Sequence, residues 1–421
     1  MKILVVNLHS SANAGDHVLT EETVRQLNEA FSGASITLAM NDPASYEGPA
    51  QTVGSFMTWF KPGNRWRRGS MPVLFLASVA AVLSYRIGGL ASLRLMPRRL
   101  RPLLRAYFEA DLVVSSAGNF LYSSGRLGLP FIIAIYTMAY ALLARKRLYN
   151  MPQTVGPLRR GWEKWLVRRI VSRMPLFLVR DDVSRRQLDE IGAWHDGCRL
   201  VPDLAFALPR DSRARGQRLL QRSGVRGGQR PALGITLINW GAQNRHFTGQ
   251  EAYESAVAAA ARTFVNAYGG RCVLFAQVRG PSEAEDDRIP ARRVRDRLAD
   301  LGEAVVMVEQ EATAAELKAA YGCMDLFMGT RLHSNIFALT EHVPAITIQY
   351  QPKTRGVLRM LGLEEWVIEI EEVDEERLRA LLDRLWQERE TLERYLQTRL
   401  DPIVAEAAQC GQLIAGHFAA R

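Results

Sequence analysis

A chain of 421 residues exceeds what one hydrophobic core ordinarily organises, so two domains and a terminal extension are expected. Apolar content of 48% with 23% charged residues excludes disordered and fibrous classes, and the net charge of +10 marks a basic protein whose excess must be located. Cys198, Cys272, Cys323 and Cys410 lie far apart without paired spacing, which argues for free thiols in a reducing compartment rather than a disulfide scaffold.

The chain opens with a strand, Ile3 to Leu8, and a turn. It lacks a signal peptide's long apolar stretch and small-residue cleavage site, so a cytoplasmic protein is expected. The turn, Asn13-Ala14-Gly15-Asp16, leads into a helical pattern over Val18 to Ala30. It is not the glycine fingerprint of dinucleotide sites. Gly15 allows a tight turn, and Asp16 suits either an N-cap or a carboxylate facing a substrate.

A strand at Ile36 to Met40 precedes the most basic segment. From Lys61 to Phe108 there are ten basic residues and no acid, enough to account for the whole excess. Within it, Met71 to Tyr85 runs fifteen residues without charge. A spanning helix needs roughly 18 or more apolar residues, so the pattern fits a helix lying in an anionic membrane surface. A buried helix with a basic rim is the plainer alternative. The aromatic and glycine interleaving of single-strand binders is absent, and no nucleic-acid partner is expected.

Strands are predicted next at Leu112 to Ser115, Arg147 to Met151, Leu176 to Arg180 and Leu200 to Pro202, with helices at Trp162 to Ser172 and Val183 to Ile191. Four strand ends carry small or polar groups: Ser115 to Asn119, Gln153-Thr154-Val155-Gly156-Pro157, Arg180-Asp181 with Ser184, and Val201-Pro202-Asp203. Arg180 reads equally as an ion-pair partner or as an anion contact in a cleft. The alternation predicts a parallel α/β domain over 1–208, followed by a polar linker at 209–231.

A second alternation fills 232–371. Its strands are predicted at Leu233 to Asn239, Cys272 to Val278, Ala304 to Val308, Leu326 to Met328, Ala345 to Gln349 and Val367 to Ile370. Helices fall at Glu251 to Tyr268, Arg288 to Leu301, Thr313 to Tyr321 and Thr354 to Met360, and 372–421 is a charged helical tail. Two doubly wound, Rossmann-like domains facing a cleft are expected, with ligands at the carboxyl ends of the strands.

Met324 to Gly356 is the densest stretch. A strand stops at Gly329-Thr330, and Arg331, His333 and Ser334 follow at a helix start; a second strand ends at Tyr350, just before Lys353. Free backbone N–H groups at a helix N-terminus, with Arg, His and Lys beside them, suit a small, highly charged anion. Zinc-hydrolase, serine-hydrolase and P-loop motifs are missing, and no cofactor or metal is expected.

Taken in order, these motifs resemble the polysaccharide pyruvyl transferase family, from about residue 3 to 365. The resemblance implies the two-domain GT-B glycosyltransferase architecture and transfer of pyruvate from phosphoenolpyruvate to a sugar as a ketal. It implies substrate contacts at Asn13, Gly118, Asn119, Gln153, Arg180, Arg331, Ser334, Tyr350 and Lys353, with His333 and Asp16 as catalytic candidates. Arg331 and Lys353 would meet the phosphate and carboxylate charges. His333 would donate the proton, since imidazole titrates nearest working pH. Asp16 would serve the acceptor hydroxyl. The basic apolar insert favours a lipid-linked acceptor and a peripheral place on the inner face of the cell membrane. A nucleotide-sugar glycosyltransferase of the same architecture is the competing reading.

Overall fold

The computed structural model describes residues 1–11, 13–60, 70–123, 128–225, 230–280, 282–351 and 353–420, the side chains of Ser70, Leu95 and Lys353 excepted. Lys61, Arg65, Arg67 and Arg68 of the basic insert, and the side chain of Lys353, therefore lie outside the described residues. The chain forms two units. One comprises Met1–Ser11, Leu19–Leu204 and Glu406–Arg421; the other comprises Ala12–Val18 and Ala205–Ala405.

In the first unit, β1 (Lys2–Leu8), β2 (Ser35–Met40), β3 (Gln51–Gly54), β4 (Leu112–Ser115), β5 (Gly118–Leu121), β6 (Arg147–Asn150), β7 (Gln153–Val155), β8 (Phe177–Val179) and β9 (Cys198–Leu200) pair in parallel. The order β3-β2-β1-β4-β6 makes one sheet and β5-β7-β8-β9 a second. β1 reads as a nearly continuous apolar run because both faces of a parallel sheet are covered. The division of the sheets follows from chemistry between β6 and β7. Pro152 cannot donate to a ladder, and the Asn150 side chain instead bridges to β8, accepting from Leu178 N–H at 3.0 Å and donating to Leu178 O at 2.8 Å. The sequence predicts one turn at Ser115 to Asn119, but Gly118 and Asn119 begin β5. With β3 and β7, this strand is too short to show a period.

The helix Ser70–Gly88 continues past the uncharged run. Among the described residues, Met71–Arg94 is long and apolar enough to cross a membrane by length and composition. Leu74, Ser78, Ala81 and Val82 are buried against the unit, while Val73, Phe75, Leu76, Leu83 and Ile87 are exposed. Tyr85 stacks on Phe108 at 4.3 Å, and the Ser78 and Tyr136 hydroxyls lie 2.6 Å apart.

In the second unit, β10 (Ala232–Thr236), β11 (Arg271–Phe275), β12 (Val305–Val308), β13 (Leu326–Gly329), β14 (Ala345–Gln349) and β15 (Val367–Glu369) form one parallel sheet in the order β12-β11-β10-β13-β14-β15. The order reverses direction between β10 and β13, which makes their carboxyl ends the switch point where such sheets bind ligands. The stretch expected to be a linker is instead part of this unit. Its helix Arg213–Arg222 packs so closely that a Cβ on Gly216 would lie 2.2 Å from the Ala319 carbonyl oxygen. Nor is the tail a separate element. In helix Glu375–Ala407, Trp386 packs against Tyr268 and Phe264, whereas Gly411 further on lies against the Gln26 backbone of the first unit's own core.

Candidate functional site

β13 ends at Gly329, and the helix Leu332–Thr340 starts three residues later with Arg331 as its extended N-cap. Thr330 N–H donates to Thr236 O at 3.2 Å, which joins the ends of β10 and β13. The turn is tied down by its own side chains. Asn335 Nδ2 donates to the Gly329 and Arg331 carbonyls at 3.0 and 3.1 Å, and any side chain at 329 would collide with Asn335. The first turn of such a helix offers N–H groups without intrahelical partners, here those of Leu332, His333 and Ser334.

Arg331 turns back across this turn to Asp287. Its Nη2 lies 2.7 Å from Asp287 Oδ1 and its Nε 3.2 Å from both oxygens. Asp287 is fully buried and also accepts from Val278 N–H at 2.9 Å. Burial pushes its carboxyl up to about 6, with Arg331 and Val278 N–H pulling the other way, so at neutral pH it remains mainly an anion. The resemblance implies that Arg331 meets the ligand's charge; in the structure it is half of an oriented ion pair with Asp287. Tyr350 lies beside it, ring centroid 6.0 Å from the guanidinium carbon, and packs at 4.8 Å on Trp240.

The turn Asn13–Asp16 belongs to this same unit. Asn13 bridges to Val278, and Ala14 N–H donates to Gln277 O at 3.4 Å. Asn13 Oδ1 accepts from Gly15 N–H at 2.9 Å and Asp16 N–H at 3.4 Å. Asn13 therefore supplies the cap and Asp16 sits in the helix's first turn, against the N-cap expectation for Asp16. A Cβ on Gly15 would stand 2.0 Å from His333 Nδ1. This glycine is set by the close approach of the imidazole, not by backbone strain. Gly15→Ala is thus expected to displace the ring and lower turnover about 10- to 100-fold, with little change in melting temperature. A steady-state turnover assay and a thermal melt on the same preparation check this.

Three other expected ligand contacts are committed elsewhere. Ser334 is buried, its Oγ 2.7 Å from both Thr236 Oγ1 and Arg331 O. Gln153 is buried and donates to Ser115 Oγ and Ser116 O at 2.7 and 2.8 Å, fastening the end of β4. Of the two readings of Arg180, ion-pair partner or anion contact, the structure shows the ion pair. Arg180 is 2% exposed, bound through Nη1 to Asp203 Oδ2 at 2.6 Å and through Nε to Thr154 Oγ1 at 2.8 Å. Thr154 donates to Asp181, whose other oxygen caps the helix Asp182–Glu190 through Ser184 N–H. These motif residues make one buried network inside the first unit.

The first unit's own switch point, beside β1 and β4, holds a cavity of about 60 Å³. Asn7, His9, Asn41, Ser55 and Asn119 line it along with Phe120 and Tyr122. His9 stacks on Phe120 at 5.1 Å, and the Asn119 amide oxygen is buried there without a hydrogen-bond partner. Gly118 takes φ +145, a conformation that side chains rarely adopt, and admits the Phe120 ring. Of the expected residues, the structure thus brings Arg331, His333, Ser334, Tyr350, Asn13 and Asp16 into one unit. It sets Gly118, Asn119, Gln153 and Arg180 in the other. Asp287 was missed. Its only sequence signal is an acidic pair, Asp286-Asp287, ahead of a helix, which reads as capping.

The family model for polysaccharide pyruvyl transferases matches residues 13–352, from the Asn13 turn to the end of the Tyr350 segment. The chain belongs to the polysaccharide pyruvyl transferase family. Membership makes it a transferase of polysaccharide biosynthesis. It is 24% identical over 384 residues to the amylovoran biosynthesis protein AmsJ of Erwinia amylovora, with 88% of each chain covered. Among solved structures, it is similar to sucrose-phosphate synthase of Thermosynechococcus elongatus (16% identity, TM-score 0.59) and to HepE of Anabaena with UDP and glucose (12%, 0.59), both chains covered in full. MnaA of S. aureus with UDP is similar at 9% identity and TM-score 0.60, covering 99% of this chain and 95% of that one. Likeness at these identities establishes the fold of this pyruvyl transferase family member, two Rossmann-like domains of the GT-B type, and not its substrate.

Proposed function

We propose that this protein transfers pyruvate from phosphoenolpyruvate to two hydroxyls of a sugar in a polysaccharide precursor, forming a cyclic ketal and releasing phosphate. The observation that carries the reading is the packing of His333 against Gly15, beside the Arg331–Asp287 pair at a helix N-terminus. The reading takes His333 as proton donor, Asp16, next to Gly15 in the chain, as the carboxylate, and the helix N-terminus as the anion contact.

The chemistry asks for that set. Protonating the methylene carbon of phosphoenolpyruvate gives a methyl group and a cationic carbon, to which the first hydroxyl adds with loss of its proton. The carbon–oxygen bond to phosphate then breaks, and the second hydroxyl adds and loses its proton. Two carbon–oxygen bonds form and one breaks; one hydroxyl proton balances that placed on carbon, and the other leaves with phosphate. His333 supplies the first proton and Asp16 receives one from a hydroxyl. Because Asp287 neutralises Arg331, substrate charge is met by the N–H groups of Leu332, His333 and Ser334, by protonated His333 and by the guanidinium nitrogen that Asp287 does not take. Lys353 joins them on sequence grounds. Tyr350 flanks the guanidinium, and Asn119 with Gly118 belongs to the acceptor side.

The exposed apolar face of helix Ser70–Gly88, with Arg86, Arg94, Arg98, Arg99 and Arg105 around it, fits peripheral binding to the inner face of the cell membrane and a lipid-linked acceptor. The decisive experiment compares thermal shifts with phosphoenolpyruvate and with UDP-sugars, then follows phosphate release with candidate saccharides. Phosphoenolpyruvate alone is expected to raise the melting temperature. A shift with a UDP-sugar and none with phosphoenolpyruvate would replace this reading with nucleotide-sugar transfer.

A further inference from the structure

The sequence pattern predicts a helix over Trp162 to Ser172 and assigns it no function. In the structure, helix Gly161–Val171 exposes Trp162 and Trp165 at 40% and 60%. They are three residues apart and share a face. Trp162 has one edge anchored, its ring 5.7 Å from the buried Phe131 and 6.0 Å from the Arg160 guanidinium carbon. Tryptophan at this exposure is costly in water.

The charge around these rings is one-sided. Arg159, Arg160, Lys164, Arg168, Arg169 and Arg173 are six bases, and Glu163 is the single acid. Glu163 is fully buried, accepting from Arg160 N–H at 3.0 Å and from the Ser123 hydroxyl, so it shows no charge outward. Arg159, Lys164, Arg168, Arg169 and Arg173 are all exposed.

A third helix packs against both of the helices that expose apolar side chains. Helix Leu129–Leu143 meets the tryptophan helix through Phe131 and the helix Ser70–Gly88 through Tyr136, whose hydroxyl pairs with Ser78 and whose ring lies 5.9 Å from Phe75. Its residues Ile132, Tyr136 and Ala139 are half-buried against the core, and Leu143 is exposed.

We propose that the Trp162–Trp165 face is a second membrane contact, seating its indoles among the headgroups of an anionic bilayer while the surrounding bases meet lipid phosphates. Indole is the side chain that favours that depth, apolar in body with one N–H for the wet side. Two contacts on one rigid unit hold it in a fixed orientation to the surface, which a single amphipathic helix does not do. The inference deepens the membrane reading above and rests on it.

The test measures binding of the full chain to vesicles of phosphatidylglycerol and phosphatidylcholine, and to phosphatidylcholine alone, by co-sedimentation and tryptophan emission. Wild type is expected to partition to the anionic vesicles with a blue shift that falls as salt rises. Trp162→Ser/Trp165→Ser is expected to partition about tenfold less while releasing phosphate with soluble acceptor at the wild-type rate. Leu76→Ser/Leu83→Ser, on the other helix, is the companion variant. If the companion loses binding and the tryptophan variant keeps it, the present inference falls and the membrane reading stands. If wild type binds no vesicles, both fall. A wild-type dimer in sedimentation velocity that the tryptophan variant abolishes, with vesicle binding unchanged, would assign this face to a second copy of the chain instead.

Discussion

His333→Gln is expected to fold, to bind phosphoenolpyruvate within a few-fold of wild type, and to lose about 10²- to 10⁴-fold of turnover. Glutamine keeps an amide N–H where the imidazole stood, so it preserves a hydrogen bond to phosphate and the fit against Gly15. What it cannot do is release a proton to carbon. The substitution therefore separates two roles that His333→Ala would confound. If the residue only holds phosphate at the start of helix Leu332–Thr340, turnover at saturation survives and KM rises. If it protonates the methylene carbon, kcat collapses with KM little changed, and in deuterated water the residual product carries deuterium in its methyl group at a reduced rate. A near wild-type kcat in His333→Gln would remove the proton-donor role.

Much of the fold is legible because parallel strands buried on both faces read as apolar runs. β1, β4, β13 and β14 fall within two residues of the positions that the pattern predicts, and the order of elements implies their neighbours. What escapes has a local cause. β3, β5 and β7 hold three or four residues each, and helix Arg213–Arg222 carries its packing face on Gly216, Leu219 and Leu220 within a polar sequence. The tail's division between the units depends on Gly411 meeting Gln26, a pairing across 385 residues that no periodicity encodes.

The site is legible in a more uneven way. The strand-to-helix turn at Gly329–Ser334 shows itself because small residues, an arginine and a histidine fall where free N–H groups must be. Its approach by Gly15 was not visible, since two turns separated by more than three hundred residues meet only in the fold. Asp287 was hidden for the same reason, 44 residues from Arg331 and dressed as a helix cap. Motif order and motif chemistry also part company. Gln153, Arg180, Asp181, Ser184 and Asp203 belong to motifs that carry the resemblance, yet in the structure Arg180 binds Asp203, Asp181 caps a helix through Ser184 and Gln153 holds Ser115.

That network leads to the second large effect. Asp203→Ala is expected to destabilise the protein by about 3–5 kcal/mol, because it leaves the Arg180 guanidinium buried and unneutralised. At roughly 2–4 °C per kcal/mol for a unit of this size, the melting temperature drops by about 6–20 °C. The loss comes mainly from the orphaned charge, not from the bond itself, so removing both partners reverses most of it. Arg180→Met/Asp203→Leu is expected to melt within a few degrees of wild type, since well-packed apolar groups replace buried ion pairs at little cost. That double variant also decides what Arg180 is for. Arg180 is 2% exposed and held by Asp203 through Nη1 and by Thr154 through Nε, which leaves little of it to reach phosphoenolpyruvate, so KM is expected to stay within about threefold of wild type. A stable double variant whose KM rose by about tenfold or more would return Arg180 to the ligand and demand that the pair open during binding.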